Sequence, residues 1–284
     1  MHTGSDAKTD SRVSTDGEAD TGSDTRTAST GAGRARLAGR TALVTGSTSG
    51  IGAEIARAMA AEGAFVVVSG RDATRGGEVV AGIEKQSGRA AFVAADLSRG
   101  TEEVAALAHA ATQAADGHID ILVNNAALLI VPQPTAEVGE ALIDEALAVS
   151  VKSMFLLTGM LAPAMARRGG GAVVNLGSIN GVNGSAHSAL YSMTKAAVHS
   201  LTKSWADEFA PLGVRVNAVA PGPTLTEKVV EHLQERLAPM IARIPSRRAS
   251  TPAEVAAAVV FLAGDEASNI HGAILAVDGG RTAV

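Results

Sequence analysis

Three side chains near the middle of the chain have the types and spacing to move a proton: Ser178, Tyr191 and Lys195. Tyr191 is the single tyrosine of a 284-residue chain whose aromatic content is 2%, and Lys195 follows it at i+4 within ALYSMTK. On a helix these positions share a face, so the phenol would have an ammonium beside it. A free phenol titrates near ~10, and acting as a general acid near neutrality requires a fall to about 7–8, which a neighbouring positive charge favours. The apolar residues of the same segment, Leu190, Val198, Leu201, Trp205 and Phe209, cover the other face, so Tyr191 is not simply part of that buried stripe. Ser178 closes an apolar run in VVNLGSING and could hydrogen-bond a reacting oxygen. The tyrosine–lysine spacing alone is a loose pattern that a core tyrosine and a surface lysine also satisfy. Its weight depends on its company.

That company includes a candidate phosphate-binding turn, TGSTSGIG, from Thr45 to Gly52. It lies between a strand-like run and a helical pattern, where glycines allow a tight turn and let backbone N–H groups reach a pyrophosphate. Gly46, Ser47, Thr48, Ser49, Ile51 and Gly52 are its candidate cofactor-binding residues. The spacing G-x-x-x-G-x-G departs from the generic G-x-G-x-x-G, and a ligand-free glycine turn is the alternative. After the next strand-like run comes SGRD. Gly70 stands where a carboxylate would accept bonds from a ribose 2′-hydroxyl, and Arg71 suits a 2′-phosphate. NADP(H) is therefore favoured and NAD(H) stays possible, with a merely solvated Arg71 as the bland reading. Asp96 and Leu97 close a third run, where a carboxylate could meet an adenine amino group. APGPT, with Pro221, Gly222 and Thr224, could pass its backbone over a cofactor ring or be a plain turn.

The elements that must position these residues are legible as alternation. Short β-branched runs at Thr41–Thr45, Phe65–Ser69, Ala90–Ala95, Ile119–Asn124, Ala172–Leu176, Val214–Val219 and Ala273–Val277 predict strands. Their nearly continuous hydrophobicity predicts burial on both faces of a parallel sheet. Helical segments begin near Ile51, Ala73, Glu102, Glu137, Ser188 and Pro252, the last with Thr251 as N-cap and Glu254 completing a capping box. The pattern predicts an α/β fold: a doubly wound, Rossmann-type sheet of about seven parallel strands with helices on both faces.

Together these motifs resemble the short-chain dehydrogenase/reductase family, in its single-domain branch. The resemblance runs from about Leu37 to Val284 and rests on TGSTSGIG, Asp96-Leu97, NNAA at Asn124–Ala127, Ser178, YSMTK, APGPT and VDGG at Val277–Gly280. It implies interconversion of a ketone and a secondary alcohol, with Tyr191 as proton donor in reduction and acceptor in oxidation. Lys195 would hold the nicotinamide ribose and lower the tyrosine's pKa, and Ser178 would bond the substrate oxygen. Asn125 and Ala126 would join the turn in fixing the cofactor, and a homotetramer or dimer is the implied assembly. Two positions depart from the family pattern. Ser150, in AVSVKSMF, stands where an asparagine usually supports a water relay to the lysine, and Ala127 replaces a glycine close to the cofactor.

Composition bounds the rest. The formal charge of −5 and the absence of a basic run argue against a nucleic-acid partner. With no cysteine there is no disulfide or thiolate metal site, and the seven scattered histidines have no ligand spacing, so no metal is expected. Apolar runs such as Ala256–Ala263 are too short to span a bilayer, which favours a cytoplasmic protein without a membrane partner. Residues 1–35, rich in Ser, Thr, Asp and Gly, read as a disordered polar extension without signal-peptide architecture. To Arg40 the chain carries six acidic and six basic residues, so the net charge belongs to the remainder. Residues 36–284 read as one dinucleotide-binding and catalytic domain with a substrate lid at about 225–248. Leu128–Val131 and the loop Asn180–Ser188, with Asn180, Asn183 and His187, predict a pocket for an apolar body with a polar handle. Arg247 and Arg248 could meet an acidic substrate or pair with a neighbouring helix. The alternative from another class is a catalytically weak dinucleotide-binding protein, which Ser150 and the polar extension motivate.

Overall fold

The buried strand cores of this chain are built from Ala, Val, Leu and Ile, residues that pack closely only when both faces of a sheet are covered. The computed structural model describes residues 35–284, leaving aside the side chains of residues 228 and 233–236. The expected polar extension lies outside the described residues except for Ala35. Seven strands form one sheet: β1 (Thr41–Val44), β2 (Phe65–Gly70), β3 (Arg89–Ala94), β4 (Ile121–Asn124), β5 (Gly171–Leu176), β6 (Val214–Pro221) and β7 (Ile274–Val277). They are all parallel, in the order β3-β2-β1-β4-β5-β6-β7. The helices are α1 (Gly50–Ala61), α2 (Ala73–Lys85), α3 (Thr101–Ala114), α4 (Glu140–Leu147), α5 (Ser153–Arg167), α6 (Ala189–Phe209), α7 (Glu227–Ala242) and α8 (Pro252–Ala263).

Strand residues alternate between two cores. Ala42, Val44, Val66 and Val68 join Ile55 and Met59 of α1 and Val259 of α8 on one face. Leu43 and Val67 join Leu107 of α3, Leu157 of α5 and Trp205 of α6 on the other. The order reverses at β1, which pairs with both β2 and β4. Connections leaving β1 and β4 therefore diverge, and a crevice opens at the C-terminal ends of the strands.

The structure refines three sequence expectations. The helix expected near Glu137 begins at Glu140, because Thr135–Glu137 closes a separate 3-10 turn after Pro134 and Gly139 takes the N-cap position. That helix then passes through a π turn, Ala148–Lys152, into α5. The lid contains a true helix, α7, started by Thr226, whose side chain accepts from Val229 N. The capping box at Thr251 and Glu254 forms as expected. By length and composition Glu140–Arg167 is long and apolar enough to cross a membrane. Its Leu157, Leu161 and Met165 are buried against the sheet, which is the packing of a core helix.

One charged side chain ties the far end of α8 to β6. The Arg215 guanidinium donates to the carbonyls of Leu262 and Ala263, the last acceptors of α8, and to that of Gly264 just beyond it. Arg215→Met should lower the unfolding free energy by about 1–3 kcal/mol, since it strands partly buried carbonyls. Urea unfolding would show this as a lower midpoint at an unchanged slope.

Candidate active site

Most candidate residues stand at or just beyond the C-terminal end of a strand, or on the helix that follows it, and Ser150 stands in the π turn before α5. After β5, Gly177 N stays paired with Val219 O at 2.8 Å, and Ser178 turns the chain into a 3-10 turn over Ile179–Gly181. The Ser178 hydroxyl oxygen accepts from Asn180 N at 3.2 Å, which leaves its proton to donate elsewhere. On α6, Tyr191 packs its ring against a third apolar cluster of Ile130, Ala146 and Leu190, beside Leu128. One turn on, Lys195 is only 5% exposed, and its Nζ donates to Leu176 O at 2.7 Å.

The electrostatics differ from the sequence expectation. Burial pushes the Tyr191 phenol above its ordinary value, and the Ser178 side chain opposes this only in part. Burial also brings Lys195 down to about 8. The expected lowering of the tyrosine by the lysine is absent from the protein alone, for a geometric reason. The ammonium is held by Leu176 O and stands 5.8 Å from the centroid of the phenol ring. Desolvation outweighs a charge at that range.

The turn after β1 is shaped by close approaches. Gly46 has φ +62°, and a Cβ there would lie 2.8 Å from Ala126 Cα. A Cβ on Gly52 would lie 2.4 Å from Gly46 O and as close to Asn125 Nδ2. Thr45 Oγ1 accepts from the N–H groups of Asn125 and Ala126, both at 3.1 Å, and Asn125 Nδ2 donates to Thr45 O and Gly46 O. Asn125 and Ala126 thus hold the turn's shape through their own bonds. The Ser47 hydroxyl is likewise engaged, donating to Val44 O and accepting from Ser69 N. Ile51 packs against the first core. Ser49 is the N-cap residue of α1 and makes no capping bond, whereas Asp72, Thr226 and Thr251 cap α2, α7 and α8. The open first turn of α1, beside glycines with no room for a side chain, fits a pyrophosphate.

The remaining candidates fall into place around this turn. A side chain at Gly70 would meet Thr48 Cγ2 at 2.8 Å, so an acid at that place is sterically disfavoured. Arg71 is exposed beside it, and its charge helps hold the Asp96 carboxyl below its usual range, after the hydrogen bond from Ser98. Leu97 is buried. Pro221 ends β6, Gly222 lies against Asp278, and the buried Thr224 bridges to Ser250. Ala127 is exposed. Arg248 forms a two-pronged pair with Glu254, and Arg247 donates to Ala242 O, so both serve α7 and α8 in the structure. Among the described residues no group of His, Asp and Glu is placed to hold a metal.

Sequence reasoning missed the residues that fix these groups. Asn124 Nδ2 donates to Thr158 Oγ1 and Asn175 Oδ1, and Asn175 Nδ2 donates to Thr202 Oγ1. Their signal was a lone amide inside an apolar strand, VVNL. Ser150 was expected in a proton relay. It is buried in the π turn, and its Oγ accepts from Leu128 N at 3.1 Å, clamping the apolar loop after β4.

Comparison with known proteins agrees with this geometry. A family profile described as enoyl-(acyl carrier protein) reductase matches residues 46–282. A galactitol 2-dehydrogenase (L-tagatose-forming) of Cereibacter sphaeroides is 41% identical over 87% of this chain and 96% of its own. A cis-4-hydroxycyclohexanecarboxylate dehydrogenase of Sinomonas cyclohexanicum is 42% identical over 87% and 98%. A solved Beutenbergia cavernae structure, provisionally described as an NAD(P)-dependent gluconate 5-dehydrogenase with bound NADP, superposes with a TM-score of 0.83. It is 39% identical over 89% of this chain and all of its own. The chain belongs to the short-chain dehydrogenase/reductase family, whose members are NAD(P)-dependent oxidoreductases acting on CH–OH groups.

Two expectations follow from the geometry. Ser150→Ala leaves Leu128 N without its acceptor, so KM for the carbonyl substrate should rise several-fold, about 3–10, at an unchanged KM for cofactor. In the reductive direction, kcat/KM for the cofactor should fall as pH rises through about 8, because Lys195 then loses its proton while Tyr191 keeps its own. Lys195→Met should abolish that break in the profile.

Proposed function

We propose that the protein is an NADP(H)-preferring oxidoreductase that interconverts a ketone and a secondary alcohol, with Tyr191 as general acid and base. The observation that carries this reading is the convergence on one sheet edge of Ser178, Tyr191 and Lys195 with an uncapped, glycine-shaped helix start. The kinship to dehydrogenases of polyol and hydroxycycloalkane substrates supports it. The exposed Arg71, next to a Gly70 with no room for an acid, supports preference for a 2′-phosphate, and the related structure with bound NADP points the same way.

The dinucleotide, when bound, supplies or accepts the hydride. Residues of the Gly46–Gly52 turn, Arg71, Asp96, Asn125 and Thr224 would hold it. The Ser178 hydroxyl, whose oxygen already accepts from Asn180 N, turns its proton to the substrate oxygen and stabilises the charge that develops there. Tyr191 Oη gives its proton to the same oxygen in reduction and takes it back in oxidation. Its raised pKa keeps that proton in place until the oxygen becomes basic. Lys195 has one proton on Leu176 O and two free to bind sugar hydroxyls and to stabilise the phenolate left behind.

The substrate walls are half apolar. Ile130 is buried behind Tyr191, while Leu129 and Val131 are 41% and 53% exposed. Together with Asn180, Asn183 and His187 of the loop after Ser178, they suit a compact apolar body bearing a polar group. The wider setting we infer is a cytoplasmic homo-oligomer, tetramer or dimer, without a nucleic-acid or membrane partner. The acidic balance and the lack of cysteine favour this.

The test is turnover of a ketone panel with NADPH. Tyr191→Phe should lower kcat by about 10²–10⁴ while cofactor still binds. Cofactor binding with no turnover on any ketone or alcohol would leave a dinucleotide-binding protein and end the enzyme reading. For the cofactor, Arg71→Ala should weaken NADPH by about tenfold to a hundredfold and leave NADH nearly unchanged. Equal losses would remove Arg71 from the 2′-phosphate.

A further inference from the structure

His199 is a polar side chain that the proposed chemistry does not use, yet it stands directly beneath the catalytic loop. It lies one turn beyond Lys195 on α6, is 5% exposed, and neither ring nitrogen has a hydrogen-bond partner among the described residues. Its place is set by the two glycines that flank Ser178. A Cβ on Gly177 would come 2.3 Å from Nε2, and a Cβ on Gly181 would come 2.5 Å from Cε1. The ring therefore fills the space that both glycines leave open, under the one loop that carries the Ser178 hydroxyl. Above it, Gly181 N donates to Ser178 O at 2.9 Å and Asn183 N to Ile179 O at 2.9 Å, so the loop folds as a unit over the imidazole.

Burial lowers the basicity of His199, and the charges of Lys195 and Lys203 lower it further. A neutral ring beside Lys195 leaves the lysine as the local charge. No protein group among the described residues bonds either nitrogen, and the contacts that place the ring are its fit between the two glycines. A buried N–H without an acceptor is unfavourable, which an aliphatic side chain would avoid.

We propose that His199 is a positioning residue for Ser178: wedged between Gly177 and Gly181, its ring sets where the serine hydroxyl stands relative to Tyr191. The inference rests on the oxidoreductase reading of the same site and extends it to a residue that touches neither substrate nor cofactor. Displacement of a catalytic group by about 1 Å can cost up to ~10² in rate, so a wedge is a sufficient device.

The test is a double-mutant cycle on the full chain, with activity referred to folded protein. His199→Ala should lower kcat about tenfold at an unchanged KM for NADPH, and His199→Gln, planar and long enough to reach Gly177, should recover most of that loss. Added to Ser178→Ala, His199→Ala should change kcat by less than about twofold, because it acts only through the serine. Multiplicative losses in the cycle, or full activity in His199→Ala, would overturn the proposal. A second measurement needs no turnover: in His199→Ala, amide exchange should quicken at Gly181, Val182 and Asn183 and not across the remaining sheet. Unchanged exchange there, or a general rise, also counts against it. Ser178→Ala without loss of rate would defeat the catalytic reading of Ser178, whereas a slow Ser178→Ala beside a fully active His199→Ala defeats the positioning role alone.

Discussion

A line of buried amides and hydroxyls holds α6, the helix of Tyr191 and Lys195, to the sheet. It runs from Thr158 on α5 through Asn124 on β4 and Asn175 on β5 to Thr202 on α6. Asn124 and Asn175 are in register across the ladder, so each can reach the other only if β4 and β5 pair as they do. Such bonds add about 0.5–1.5 kcal/mol each, but leaving one buried partner unmet costs about 1–3 kcal/mol. A slip of α6 by one turn would strand amides in an apolar layer. The line therefore selects one placement of α6 more than it stabilises that placement. Lys195 lies two turns before Thr202 on the same helix face, and Leu176 follows Asn175 on the strand. The lock that joins Thr202 to Asn175 thereby brings Lys195 Nζ onto Leu176 O.

That placement explains the unusual electrostatics of the edge. The lysine is taken almost wholly out of water with a single backbone acceptor, which is unfavourable for an ammonium and brings its pKa to about 8. The phenol is shifted the other way by the same cause. Both shifts disfavour charge, so the protein alone holds a neutral acid beside a weakly held cation. The buried Lys195 and His199 lie here, and the π turn at Ser150 stands in the same region. Elsewhere the cores are aliphatic and orderly.

Much of this was legible in the chain, and the parts that were not share a cause. The seven strands are read correctly because parallel, doubly covered strands are continuous apolar runs, and TGSTSGIG declares its turn through glycines with no space for a Cβ. The π turn is invisible because a one-residue insertion hardly disturbs an apolar pattern that continues from Leu142 into α5. Helix α7 was read only as a lid, since its charged residues and Pro239 dilute the helical period. The roles of Ser47, Asn125 and Thr202 depend on partners 22, 80 and 27 residues away, which spacing along the chain does not encode. The direction of the tyrosine's pKa failed for the same reason. A helix wheel supplies the neighbour at i+4, but burial is set by residues brought in from the loop after β4 and from α4.

In the proposed mechanism, the same packing would tie substrate choice to catalysis. Leu128 and Ile130, from the loop after β4 that we propose walls the substrate crevice, sit in the apolar cluster that receives the Tyr191 ring. Ser150 holds that loop by the Leu128 N–H, and Gln133 N donates to His187 O at 2.8 Å, fastening it to the loop that follows Ser178. Wall, acid and serine are therefore one connected body. A substitution at Ile130 that enlarges the crevice also wets the phenol, and a wetter phenol loses the desolvation that raises its pKa. Exposed Leu129 and Val131 carry no such coupling, because they point away from the cluster. Under the proposed mechanism, substrate range would be varied through 129 and 131 at little cost to Tyr191, whereas 128 and 130 would bind the shape of the pocket to the proton that Tyr191 transfers.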